Sequence, residues 1–142
     1  IYKMARVSMD RLIKDLSSLQ KSSGSFTLNA EKKKLGNRDF HSIAFWSASH
    51  LAFGEHESED RPAMIQYDVR EDGNGGGASL WRSDVSDATP DETKISDSGF
   101  IICKNIDTFR LTFYNTSGTE TDSWSASSAR RRPTRSGFAK TP

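Results

Sequence analysis

The sequence predicts an α+β domain in which a long N-terminal helix packs on antiparallel β-sheet. Three observations carry that expectation. Apolar residues recur at helical spacing over residues 1–20, and the apolar period then falls to two. Five or six short strand-like runs follow the single helix, an order that places the helix over one face of a sheet.

The helix comes first. Ala5, Met9, Leu12, Leu16 and Leu19 recur at intervals of four, three, four and three, which draws one apolar stripe for packing against the sheet, with Tyr2 and Ile13 on its border. Asp10 and Lys14 stand at the favourable acid-first i, i+4 spacing on the polar side. Ser22, Ser23 and Gly24 supply a stop, with Gly24 suited to the left-handed C-terminal position. Met4 and Val7 fall on the side opposite the stripe, so the first two turns are apolar nearly all round. No capping residue precedes Ile1, and the chain does not start on Met. The expectation is a helix that continues a more hydrophobic segment upstream; the alternative is an ordinary amphipathic helix with two exposed apolar residues.

The strands follow. Phe26 and Leu28 alternate with small polar residues, and residues 40–47 form a strand candidate with Ile43 and Phe45 on one face. Ile65, Tyr67 and Val69 alternate within 64–69. Residues 79–82 are the hairpin partner across the glycine-rich turn 71–77. Residues 106–114 look like the clearest strand, with Phe109, Leu111 and Phe113 alternating against Arg110 and Thr112. Stretches 55–62 and 84–97 are acidic, polar and turn-rich. The expected organisation is one domain, with helix over 1–22, a β-rich head over 25–124 and a basic polar tail over 125–142.

Composition narrows the function. Twenty basic and nineteen acidic residues leave a net charge of +1, so no whole-domain attraction to nucleic acid or membrane is expected. Mean hydropathy is −0.68, and no run approaches the ~18–20 apolar residues of a spanning helix. Cys103 is the one cysteine; beside Phe100, Ile101 and Ile102 it reads as a buried, inert thiol.

The chemistry-bearing patterns are incomplete. His50 and His56 lie near Glu55, Glu57, Glu59 and Asp60, but the spacing fits neither H-E-x-x-H nor a zinc finger. His41 lies in a strand without a carboxylate neighbour and reads as structural. No G-x-S-x-G elbow accompanies the many serines. The Asp91–Glu92 and Glu59–Asp60 pairs sit in turn-like sequence. The loop 73–77 lacks the Lys-Ser/Thr and helix of a phosphate cradle, and Asp72 and Asn74 lack the downstream acid of an EF-hand. Asn115-Thr116-Ser117 is only a three-residue sequon. Arg130, Arg131, Arg132 and Arg135 form a basic tail with no interleaved aromatic for base stacking. No catalytic residue, metal ligand or cofactor site is therefore expected.

The segments Met4–Leu12, Ile43–Ser47, Ile65–Val69, Leu80–Arg82 and Gly99–Ile106, running on to Asp122-Ser123-Trp124, appear in an order that resembles the J-type minor pseudopilins of bacterial type II secretion systems. The resemblance spans most of residues 2–124. It implies a pilin-like fold, the soluble head of a protein whose leader is cleaved and whose upstream half-helix anchors it in the inner membrane, with this domain in the periplasm. It also implies a non-enzymatic, structural role at the pseudopilus tip with I- and K-type minor pseudopilins. Tyr2, Met4, Val7 and Arg11 would then meet a neighbouring subunit. Family members usually end in a further apolar strand, which residues 125–142 do not show. Three other readings stay open: a type IV pilus minor pilin, a small periplasmic ligand-binding module using Trp46 or Trp81, and a metal-dependent hydrolase using His50 and His56.

Overall fold

The computed structural model describes residues 2–19, 27–48, 62–73, 75–86, 95 and 97–127. One helix, α1 (Tyr2–Ser17), precedes eight strands: β1 (Thr27–Leu35), β2 (Arg38–Ser47), β3 (Ala63–Glu71), β4 (Ala78–Val85), β5 (Phe100–Cys103), β6 (Phe113–Tyr114), β7 (Glu120–Thr121) and β8 (Trp124–Ser127). Six of them build one antiparallel sheet in the order β5-β4-β3-β2-β1-β8, and β6 and β7 form a separate hairpin.

The expected α+β class, a pilin-like long helix packed on a sheet, is overturned. The helix is short, at 16 residues, and the six-stranded sheet is the body of the domain. The reason lies at the helix C-terminus. The amides of Ser18 and Leu19 bond three residues back, to Asp15 and Leu16, and Leu19 then bridges to Ser47 on β2. Ser47 Oγ lies 2.8 Å from the Asp15 carbonyl, and the Ala48 amide donates to the Ser18 carbonyl at 2.8 Å. These donors satisfy the carbonyls that every helix end leaves open, so the chain leaves the helix at a strand and not at a glycine. The predicted stop at Gly24, and Phe26, lie outside the described residues.

The core forms where alternation predicts it. Ala63, Ile65, Tyr67 and Val69 of β3 are buried, while Met64, Gln66, Asp68 and Arg70 between them are partly open. Register brings Ile43 opposite Tyr67 and Phe45 opposite Ile65, and the Phe45 and Tyr67 rings stack at 6.5 Å. The β3–β4 hairpin closes with Glu71 opposite Ala78. Its tip is held by the Asp72 amide on the Gly77 carbonyl, and Gly75 takes φ 72°, which glycine adopts without steric cost.

Two expectations at the C-terminal side fail. Residues 104–112 form no ladder; only Phe113 and Tyr114 of the expected 106–114 strand pair, with β7. The alternation is real but reports burial alone. Phe109 is buried and Ile106, Leu111 and Phe113 pack on the core, while single bonds fix the backbone: Ile106 N–H to the Ala78 carbonyl, and His41 N–H to the Phe109 carbonyl. The stretch read as a polar tail from residue 125 begins instead as strand β8, which pairs with β1 through Thr27↔Ser127 to Ala30↔Trp124. The backbone of β1 supplies this ladder, and Trp124, which with Ala126 alternates against Ser125 and Ser127, packs against the core.

Candidate functional site

Helix α1 carries the predicted site residues, and the structure sorts them. Tyr2, Met4 and Val7 are exposed, at 91%, 40% and 59%. Arg11 is mostly covered, with its Nη2 3.0 Å from Asp15 Oδ1. Of the expected packing stripe, Leu12 is buried, and Leu16 and Leu19 pack against the core. Ala5 is exposed, as is Met9 at 41%. The buried helix residues are Ser8, Leu12 and Asp15. At about 100° per residue, their centre lies about 50° round the helix from the centre of the predicted stripe.

The rotation has a visible cause, which composition and periodicity do not show. Asp15 is fully buried, and its Oδ2 accepts from Tyr67 O–H at 2.6 Å and from Arg82 Nε–H at 2.8 Å. Arg82 Nη2 lies 3.3 Å from Asp15 Oδ1, and its Nη1 is 2.9 Å from Asp84 Oδ2. Ser8 adds an anchor about two turns earlier: its Oγ lies 2.8 Å from the Met4 carbonyl and 2.9 Å from the Ile102 carbonyl on edge strand β5. Among the described residues, Arg11, Arg82, Asp15 and Asp84 thus meet between helix and sheet with their charges balanced. Burial opposes the charge on Arg82, but its bonds and attraction to Asp15, then to Asp84, outweigh that and raise its pKa. Burial first, and the bond to Asp15 second, push the Tyr67 hydroxyl well above its ordinary value. Asp15 and Arg82 are both closed off from solvent, and their bonds tie the helix to β3 and β4.

One consequence is measurable in alkali. Because the folded state holds the Tyr67 proton more tightly than the unfolded chain, this contribution is complete below a pH of about 10 and is lost as pH rises towards the folded value. Unfolding free energy should therefore fall between about pH 10 and 11.5, by at most ~1.4 kcal/mol per pH unit from this group. Tyr67→Phe should show a shallower fall in denaturant titrations across the same range; an equal slope would contradict the assignment.

A sequence signal for the cluster existed. Asp15 falls among the apolar positions 12, 16 and 19, and Arg82 occupies the alternating position of β4 whose register faces inward beside Tyr67. Neither stands out until the two are brought together.

The other candidates are placed as follows. His41 is buried; its Nδ1 accepts from the Leu111 amide at 3.2 Å, so Nε2 carries the proton given to the Asp122 carbonyl at 2.7 Å. Lys32 on β1 pairs with Asp122 at the surface, which raises the lysine pKa and lowers that of the carboxylate, chiefly through their hydrogen bond. Cys103 is buried. Trp46 is buried, and Arg70 stacks over Trp81 at 4.5 Å, so neither offers an open aromatic platform. Gly99 sits so close to that pair that an added Cβ would lie 2.7 Å from Ser83 Oγ and 3.3 Å from Trp81. The polar sheet face holds an open concavity of about 970 Å³, where Lys33 meets Asp68 at 3.0 Å and Arg70 meets it at 3.6 Å. Asn115 Oδ1 accepts from the amides of Ser117 and Thr119, which makes the sequon a hairpin tip. His50, His56, their neighbouring carboxylates, Asp91–Glu92 and the arginines at 130–135 lie outside the described residues. Among the described residues no His/Cys/Asp/Glu group could hold a metal, and no helix is long and apolar enough to cross a membrane.

Comparison with protein-family models, curated proteins and solved structures finds no match to this chain.

Among the described residues, exposed apolar side chains are concentrated on α1. Tyr2, Met4, Val7, Met9 and Ile13 are five of the seven exposed large hydrophobic residues among those described; the others, Phe100 and Tyr114, stand apart from the helix in the chain. On the helical wheel they make two ridges flanking the buried face. Met4 and Val7 form one; Tyr2, Met9 and Ile13 form the other, roughly 16 Å long.

Proposed function

We propose that this chain is a structural subunit of a secretion pseudopilus, in the role of a J-type minor pseudopilin, and that it joins its neighbours through α1. The observation that carries the reading is the concentration of exposed apolar side chains on that one helix. Large apolar side chains gathered as ridges on one exposed element mark an interaction surface. The ordered sequence resemblance supports the same role. The partner is an amphipathic helix with an acidic flank. Lys3, Arg6 and Lys14 are exposed on α1 against the single acid Asp10, so a neighbour with carboxylates beside its apolar stripe is complementary. I- and K-type minor pseudopilins are the partners this role calls for. The full-length protein would sit in the inner membrane with this domain in the periplasm. Such a subunit works by packing and needs neither a catalytic residue nor a cofactor.

Fully burying a Met or Val against a partner contributes about 1.5–3 kcal/mol, so placing charges at two such positions has a large expected cost. Met4→Glu with Val7→Glu should weaken binding to purified I- and K-type domains by about 100-fold or more in calorimetric titration. Both side chains are exposed, so the unfolding midpoint should hardly move. Undiminished binding by the folded double variant would refute the reading. A type IV pilus minor pilin would use the same surface, and binding to pilus rather than secretion partners separates the two.

A further inference from the structure

The phase of α1 conflicts with its own sequence. Its hydrophobic stripe would bury Ala5 and Met9, yet the helix buries Ser8 and Asp15 and leaves those two outside. Helices normally turn their apolar stripe to the core. Here a directional, charged contact overrides a non-directional one. The Asp15 carboxylate must meet Tyr67 O–H and Arg82 Nε–H at 2.6 and 2.8 Å, and those donors are held on neighbouring strands β3 and β4. Only a narrow range of helix rotations allows this. Met9 and Ile13 lie roughly 120–160° round the helix from Asp15, so the same rotation sends them to the surface.

We propose that Asp15 and Arg82 are positioning residues for the α1 interface: their buried pairing sets the rotation of the helix and thereby creates the Tyr2–Met9–Ile13 ridge, on which the acidic-flanked helix of one neighbouring subunit docks, while the Met4–Val7 ridge on the other side meets a second neighbour. The proposal rests on the assembly reading above and adds to it the residues that choose which side chains are offered. Arg6 and Lys3 lie on the solvent side of this ridge, where the partner's carboxylates would meet them. Buried ion pairs are well attested as devices that fix register, and exchange of such a group for apolar residues is often tolerated by the fold.

The experiment reads helix phase directly. Met4 and Met9 are equally exposed, at 40% and 41%, so dilute peroxide should oxidise them at similar rates in the native protein, followed by mass spectrometry. In the full chain carrying Asp15→Leu, Arg82→Met and Asp84→Asn, which replaces the charges together, the helix should turn towards its stripe. Met9 oxidation should then slow at least ~5-fold relative to Met4. Binding to the I- and K-type domains should fall by about tenfold or more. An unchanged Met9:Met4 ratio in the folded variant overturns the inference and leaves the assembly reading standing. A shifted ratio with undiminished binding overturns the ridge as a docking surface. If the triple variant does not fold, Asp15→Asn keeps the shape and removes the charge. Its ratio should fall at least ~2-fold, and no change there also overturns the proposal.

Discussion

Asp15→Ala will be among the most destabilising single substitutions on α1, although the residue is an aspartate on a helix. The carboxylate it removes is fully buried and receives hydrogen bonds from Tyr67 and Arg82. The substitution leaves a buried guanidinium and a buried hydroxyl without that acceptor. Breaking one side of a buried ion pair costs about 3–5 kcal/mol. Asp84 still faces Arg82 at 2.9 Å, which holds the loss towards the lower end. Against a typical total of about 5–15 kcal/mol, that is a large share. The denaturant midpoint should drop, with a melting temperature lower by on the order of 10 °C. Asp10→Ala on the exposed side of the same helix should stay within about 0.5 kcal/mol of the parent. Equal effects at the two positions would mean that the buried cluster does not hold the helix.

Phe109→Ala will cost about 3–5 kcal/mol even though its segment belongs to no sheet ladder. The ring is buried and joins the same core cluster as Phe40, Ile43 and Leu80. Its loss leaves a cavity that neighbours held in strands can fill only in part. The backbone bond from His41 N–H to the Phe109 carbonyl survives the substitution, so the effect measured is that of the side chain. Arg110→Ala, one residue on and exposed, should change stability by no more than about 0.5 kcal/mol. Chemical denaturation of the pair separates a segment that plugs the core from one that merely crosses the surface. A small effect at Phe109 would place it in the second class.

These two residues also show where sequence reasoning reaches and where it stops. The period-two pattern at 64–69 matches a strand because its partners on both sides, β2 and β4, are present to complete the ladder. The same pattern at 106–114 marks burial equally well, but a ladder needs a neighbour in register, and sequence alone does not say whether one is available. Strand β8 is the converse. Its alternation, Trp124 and Ala126 against Ser125 and Ser127, is too short to stand out in a polar stretch, and it pairs because β1 has an edge beside it and Trp124 packs on the core. Near the N-terminus the spacing of Leu12, Leu16 and Leu19 points to a helix, while the length and rotation of α1 follow from contacts with Ser47, Tyr67 and Arg82, which lie 30 or more residues away.

By itself the sequence determined which stretches are apolar, with what period, and hence the helix at the start, the central strands and the glycine-rich hairpin between β3 and β4. Those features depend on interactions within one element or across one turn. Only the tertiary structure decided that the helix is short, that the sheet makes up most of the domain, and that Met9 and Ile13 face solvent while Asp15 does not. The physical reason is that hydrophobic burial is non-directional and constrains a helix's rotation loosely. A buried carboxylate, by contrast, requires particular donors at particular distances, and their positions exist only once the strands have assembled.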